Sequence, residues 1–144
     1  MKNLGIIIVF ETDYIPREVS RFIGRFPLEM FGVNYDIGNS AALGFDFQEE
    51  FGVYGDRILN VHPSLLPKYA GGMDTNVHED VLKNGDVETG CTIHFVTDEV
   101  DGGPILIQKK CNIEAHDTVE TLKNKVQKLE GEAFVEAIQL IQNN

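Results

Sequence analysis

Arg57–Tyr69 reads RILNVHPSLLPKY, and the rest of the chain is organised around it. Arg57–Val61 has the apolar content of a short buried strand. Asn60 and His62 lie two residues apart, so an extended backbone turns both side chains to the same side. Pro63 disfavours a helical conformation at His62 and keeps the chain extended there. Pro67 closes a turn over Leu65 and Leu66. An amide and an imidazole are thereby set side by side at a strand end, where loops on a rigid scaffold commonly carry catalytic groups.

On the C-terminal side of this stretch, Ala70–Asp74 is glycine-rich and turn-like. Asp74 is suited to cap a helix over Thr75–Lys83, with Val77, Val81 and Leu82 inward. Asn84–Gly85–Asp86 stops it. Thr89–Val96 predicts a strand in which Cys91, Ile93 and Phe95 alternate with Thr92, His94 and Val96. Thr97–Pro104, TDEVDGGP, is an acidic loop with two glycines, and Ile105–Ile113 is a further strand that pairs antiparallel with the previous one. Asp117 with Glu120 resembles a capping box. It opens a long helix to about Ile141, with Val119, Leu122, Val126, Leu129, Ala133, Ala137 and Leu140 on one face.

On the N-terminal side, Leu4–Phe10 (LGIIIVF) reads as a buried strand of the parallel kind. Pro16 opens a helix with Glu18 in its first turn and Val19, Phe22 and Ile23 as its apolar stripe. Met30–Tyr35 and Ala41–Phe45 read as short strands and Phe47–Tyr54 as a short helix.

A chain of 144 residues with 42% hydrophobic content is read as one globular domain, residues 1–144. A net charge of −11 argues against nucleic acid as a partner, because phosphate binding needs clustered Lys and Arg. Cys91 and Cys111 sit in apolar runs and read as buried free thiols, and no metal-ligand spacing is present. Leu4–Phe10 is too short for a signal peptide, and no stretch is long enough to span a membrane. The expected location is the cytoplasm.

Three polar positions bear on chemistry: the Asn60–His62 pair, Asp101 in the loop whose glycines let the backbone approach a ligand, and Glu130 inside the apolar arc of the last helix. Asn60, His62 and Asp101 suit acyl transfer to an amine. An amide donates to a developing oxyanion, and an imidazole moves a proton or, when charged, stabilises that oxyanion. A carboxylate favours the charged imidazole and orients it. An isolated Asn-x-His pair also arises for structural reasons, and Glu130 with Lys123 also fits two long side chains at a helix rim. His78 and His94 are expected as packing or surface residues, and His116 as a solvated loop residue.

ILNVHPSLLPKYAGG followed by VHEDVLKNGDVETGCTIHFVTDEVDGGPILIQKK resembles the glycinamide ribonucleotide formyltransferases, over about residues 56–141. That resemblance implies formyl transfer from 10-formyltetrahydrofolate to the amine of glycinamide ribonucleotide, in purine synthesis. It implies a three-layer α/β fold with a Rossmann-like, mostly parallel sheet and an antiparallel portion. Folate would lie at the carboxyl ends of the strands, beside Asn60. By the same resemblance Asn60 binds the formyl oxygen, His62 stabilises the tetrahedral oxyanion, and Asp101 keeps His62 charged and accepts the amine proton through water. The loop Val96, Thr97, Asp98, Glu99, Val100 and Asp101 packs on the pterin, and Gln127 and Glu130 contact the ribonucleotide. No metal is implied, and a homo-oligomer is left open.

Residues 1–55 depart from the family pattern. Where the family has a glycine-rich loop that cradles phosphate at a helix N-terminus, this chain has Glu11–Thr12–Asp13. Arg17, Arg21 and Arg25 are candidate substitutes, with Arg17 nearest the helix start. At least one strand–helix unit is missing. Two alignments of the front stay open: Ile6–Arg25 as the family's first strand and helix, or as the later strand–helix before the Asn-x-His strand. The alternatives to the leading function are a formyltransferase for another amine, a formyltetrahydrofolate hydrolase, and a non-catalytic folate-binding homologue.

Overall fold

The computed structural model describes residues 8–11, 21, 25, 31–34, 58–72 and 74–142. Among them five strands form one sheet, in the order β1 (Ile8–Glu11), β2 (Phe31–Asn34), β3 (Leu59–His62), β4 (Glu88–Phe95) and β5 (Ile105–Asn112). β1, β2 and β3 pair in parallel, and β3–β4 and β4–β5 pair antiparallel. The result is an α/β fold with a parallel half and an antiparallel half that meet at β3.

That meeting point places the Asn-x-His pair. β3 sets Asn60 opposite His94 and His62 opposite Thr92. β4 lies between two strands and is covered on both faces, so Thr89–His94 are all buried. β5 has a neighbour on one side among the described residues, and its burial alternates in the manner of a half-covered strand.

Helix α1 (Asp74–Lys83) buries Val77 and Val81 against Leu122. It ends where expected. Gly85 takes φ +69, its N–H bonds the Leu82 carbonyl at 3.1 Å, and the Asp86 N–H reaches back to the Val81 carbonyl at 3.2 Å. This is a Schellman closure, which needs a residue tolerant of positive φ. Helix α2 (Val119–Gln142) lays Val126, Ala133 and Ala137 on Cys91, Ile93 and Ile107 of the sheet. Burying a side chain such as Ile93 contributes roughly 1.5–3 kcal/mol. No helix of the described residues is long and apolar enough to cross a membrane.

Two expectations for α2 need correction. Its cap is Thr118, not Asp117. Thr118 Oγ1 accepts from the Thr121 N–H at 3.2 Å, and Thr121 Oγ1 accepts from the Thr118 N–H at 2.9 Å. The Asp117 carboxylate is occupied by the Glu114 N–H at 2.8 Å and Lys125 Nζ at 2.6 Å. Leu140 leaves the apolar face near the helix end and is 41% exposed.

At the front, β1 covers the second part of the expected Leu4–Phe10 strand and extends to Glu11, and β2 falls within Met30–Tyr35. Arg21 is helical and Arg25 lies in a turn, both exposed. The helix opening at Pro16, with Arg17, lies otherwise outside the described residues, as do Thr12, Asp13, Ala41–Phe45 and Phe47–Tyr54.

Candidate active site

β3 ends at His62, and the chain then folds back over the sheet instead of continuing away from it. Lys68 N–H bonds the Leu65 carbonyl at 3.1 Å, and the Ser64 hydroxyl bonds the Lys68 carbonyl at 2.6 Å. Tyr69 and Gly71 take φ +64 and +75, which swings the returning backbone past the imidazole. The Tyr69 carbonyl arrives 3.1 Å from His62 Nε2.

The acidic loop after β4 supplies the carboxylate. It is tied at its base by Phe95 N–H to the Pro104 carbonyl and by Val96 N–H to the Ile58 carbonyl, both at 2.9 Å. Gly103 lies so close to the Phe95 carbonyl that a Cβ there would collide with it. A turn from Glu99 to Gly102 then presents Asp101, itself at φ +54. Asp is among the few side chains that adopt this conformation readily.

Asn60, His62 and Asp101 come together. Asp101 Oδ2 accepts from the Gly71 N–H at 2.7 Å and lies 3.3 Å from His62 Nδ1. Asp101 Oδ1 lies 3.5 Å from the Asn60 amide nitrogen. The His62 and Asp101 side chains are only 4% and 5% exposed. Both ring nitrogens of His62 therefore face oxygen acceptors, Tyr69 carbonyl and Asp101 carboxylate, and an imidazolium with two N–H groups satisfies both.

A fourth polar group belongs to the cluster. His94 Nε2 is 3.2 Å from Asn60 Nδ2 and 3.5 Å from Asp101 Oδ1, while its Nδ1 is 3.0 Å from the Phe95 carbonyl. His94 Nδ1 thus faces the Phe95 carbonyl, and its Nε2 lies between the Asn60 amide and the Asp101 carboxylate. The expectation of a packing or surface residue is corrected here: His94 is buried, but among the site's polar groups. The alternation along β4 carried half of the signal, setting His94 with Thr92 and away from Cys91 and Ile93. The pairing of His94 with Asn60 carried the other half. His78 is buried on α1 and His116 is exposed.

Burial opposes charge on Asp101. The hydrogen bond to His94, the Gly71 N–H and the positive fields of His62 and His94 outweigh it, and the carboxyl lies below its ordinary range. Of the other loop residues, Val96 is buried, Thr97 half-buried, and Asp98, Glu99 and Val100 exposed. On α2, Gln127 is exposed and Glu130 half-buried. Burial, with the added charge of Glu130, pushes the Cys91 thiol up to about 12. Cys91 and Cys111 are both free. Among the described residues no group of three or more His, Cys, Asp or Glu is placed to hold a metal ion.

A sequence profile of the family described as Formyl transferase matches residues 49–138. Phosphoribosylglycinamide formyltransferase of Escherichia coli (strain K12) is 49% identical over 74 residues, which are 51% of this chain and 34% of that protein. The trifunctional purine biosynthetic protein adenosine-3 of Bos taurus is 44% identical over 88 residues, 61% of this chain and 8% of that protein. The crystal structure of phosphoribosylglycinamide formyltransferase from Anaplasma phagocytophilum superimposes with a TM-score of 0.70 at 26% identity, over 86% of this chain and 56% of that one. The chain thus spans well under two thirds of the length of each of these relatives.

Proposed function

The chain belongs to the formyl transferase family, and from that premise we propose that it transfers a formyl group from 10-formyltetrahydrofolate to the amine of glycinamide ribonucleotide. The observation that carries this reading is the buried constellation at the β3 end: an amide, an imidazole held between two acceptors, and a carboxylate.

The acceptor amine attacks the formyl carbon, and the carbonyl electron pair moves onto oxygen. The Asn60 amide donates to that oxyanion, and the positive charge of the His62 imidazolium stabilises it. The Asn60–Asp101 contact is long at 3.5 Å, so this N–H is the one most readily turned to a substrate oxygen. Asp101 holds His62 charged and accepts the amine proton through a water. Collapse of the intermediate breaks the bond from carbon to folate N10, which leaves with a proton as tetrahydrofolate. The loop Val96–Asp101 covers the pterin, and Gln127 and Glu130 contact the ribonucleotide. Arg17 supplies phosphate contact in place of the glycine-rich loop. Residues 1–144 act as one unit in the cytoplasm on small molecules, as a monomer or a homo-oligomer.

The test follows formyl release from a 10-formyl folate analogue by absorbance, with and without glycinamide ribonucleotide. Transfer that depends on the ribonucleotide, and falls on the order of 10²–10³-fold in His62→Ala, is expected. Equal release without the amine would make the protein a hydrolase. A rise in melting temperature with a reduced folate but no turnover would make it a folate binder. Neither turnover nor a thermal shift would remove folate from the account.

A further inference from the structure

Thr92 and Gln108 stand outside the cluster of reacting groups, yet the segment they grip carries two of the contacts that hold the His62–Asp101 pair. The segment 62–71 carries His62 itself, the carbonyl that receives its Nε2 (Tyr69), and the N–H that holds Asp101 (Gly71). It is a strap whose two ends define the His62–Asp101 pair. Its middle is fastened to the sheet by two side chains. Thr92 Oγ1 donates to the Ser64 carbonyl at 2.6 Å and accepts from the Leu66 N–H at 3.1 Å. Gln108 Nε2 donates to the Leu66 carbonyl and to Thr92 Oγ1, both at 2.9 Å.

The hydrogen bonding of this clamp is complete. The Thr92 hydroxyl uses its one proton and both of its acceptor sites, and the Gln108 amide uses both of its protons. Thr92 is fully buried and sits directly across from His62 in the β3–β4 pairing, while Gln108 lies beside Thr92 on β5. An antiparallel register thus converts two edge-to-centre neighbours into a support for the strand-end imidazole.

We infer that Gln108, acting with Thr92, is a positioning residue for the reaction: it fixes the strap so that the Tyr69 carbonyl and Asp101 hold His62 in one orientation. This rests on the proposed formyl transfer for its kinetic consequence, but not for its structural one. Loss of the clamp leaves the Leu66 carbonyl and N–H without their sheet partners and frees the middle of the strap. Misplacement of a reacting group by about 1 Å costs up to about 10²-fold in rate. Substrate contacts are untouched, so the loss falls on kcat and not on KM.

Two readouts test it, in the wild type and in Gln108→Leu, Thr92→Val and Thr92→Ser. The first is kcat and KM for formyl transfer, normalised to folded protein. The second is the NMR signal and solvent exchange of the His62 Nε2–H, which needs no turnover. Expected are a kcat about tenfold or more lower in Gln108→Leu and Thr92→Val with KM unchanged, faster exchange of the His62 proton in both, and recovery in Thr92→Ser. Because Gln108 is exposed on β5, its variant reports even if Thr92→Val fails to fold. Wild-type kcat and wild-type proton exchange in Gln108→Leu would overturn the inference. If the wild type transfers no formyl group, the function reading fails by itself. Proton exchange then decides: acceleration in Gln108→Leu supports the clamp, and unchanged exchange overturns it.

Discussion

Cys91 and Ile93 look from β4 toward α2, while Thr92 and His94 lie on the opposite face, Thr92 against the segment that follows β3 and His94 against Asn60 and Asp101; all four are at most 1% exposed. Burial is the same on the two faces and the chemistry is opposite. The α2 side is filled by Val126, Ala133 and Ala137, where contact is non-directional and shape is what matters. On the other side each polar group has a named partner at hydrogen-bond distance, and a lost partner leaves a desolvated group unsatisfied. One strand therefore separates the apolar packing from the candidate site. The two faces should respond differently to the same kind of damage.

The largest effect is expected from Asp101→Asn on the polar face. It keeps the shape of the side chain and removes the charge shared by His62 and His94. Turnover should fall by about 10²–10³-fold, with thermal unfolding changed far less. Steady-state kinetics beside calorimetry would show it, and a variant that unfolds early yet turns over normally would erase the distinction between the faces.

Ile93→Ala strikes the apolar face. Removing a buried aliphatic side chain of this size costs about 2–5 kcal/mol, depending on how far the site collapses. Denaturant titration should register that loss, while kcat per folded molecule stays at the wild-type level.

Gly103→Ala acts on both faces at once. A Cβ meets the Phe95 carbonyl, at the base of the loop that carries Asp101. Such overpacking costs about 1–3 kcal/mol. Stability and turnover should fall together, unlike in either previous variant; a drop in stability with unchanged kcat would mean that Asp101 is held without help from the loop base.

Acid should act through the depressed carboxylates. Asp117 is held at about 2, against an ordinary 3.8, first by Lys125 and then by the Glu114 N–H, and Asp101 is lowered as well. A folded-state value below the unfolded one contributes stability that is present above the unfolded value and is lost as pH falls through the folded one. Unfolding midpoints should therefore decline on acidification below an ordinary carboxylate value, and Asp117→Asn should flatten the decline towards pH of about 2. The smallest effect is expected from Glu88→Gln, which breaks the exposed 2.7 Å pair with Lys110. Exposed pairs contribute about 0–1 kcal/mol, and added salt should remove the difference.

The legible parts of the chain were those with local causes. Pro63 beside His62, Gly85 after the Val77, Val81 and Leu82 stripe, and the alternation of Thr89–Val96 each predict the element that is seen. The cap of α2 was misplaced by one residue because Asp117 and Thr118 are both good caps. The choice between them depended on Lys125, two turns along the helix, engaging Asp117. Leu140 read as core because the apolar stripe continues in sequence beyond Ala137, the last buried residue of the helix among those described.

By itself the sequence determined that Asn60 and His62 share a face at a strand end, since the strand repeat and a following proline leave little choice. It also determined that an aspartate followed by two glycines sits in a loop able to approach them. Tertiary structure alone decided that His94 joins Asn60, across 34 residues of chain, and that the Tyr69 carbonyl and the Gly71 N–H complete the cluster. Those partners come from β-pairing register and from the path of a returning backbone. Neither is encoded in any single short stretch, because each depends on which segments pack against one another.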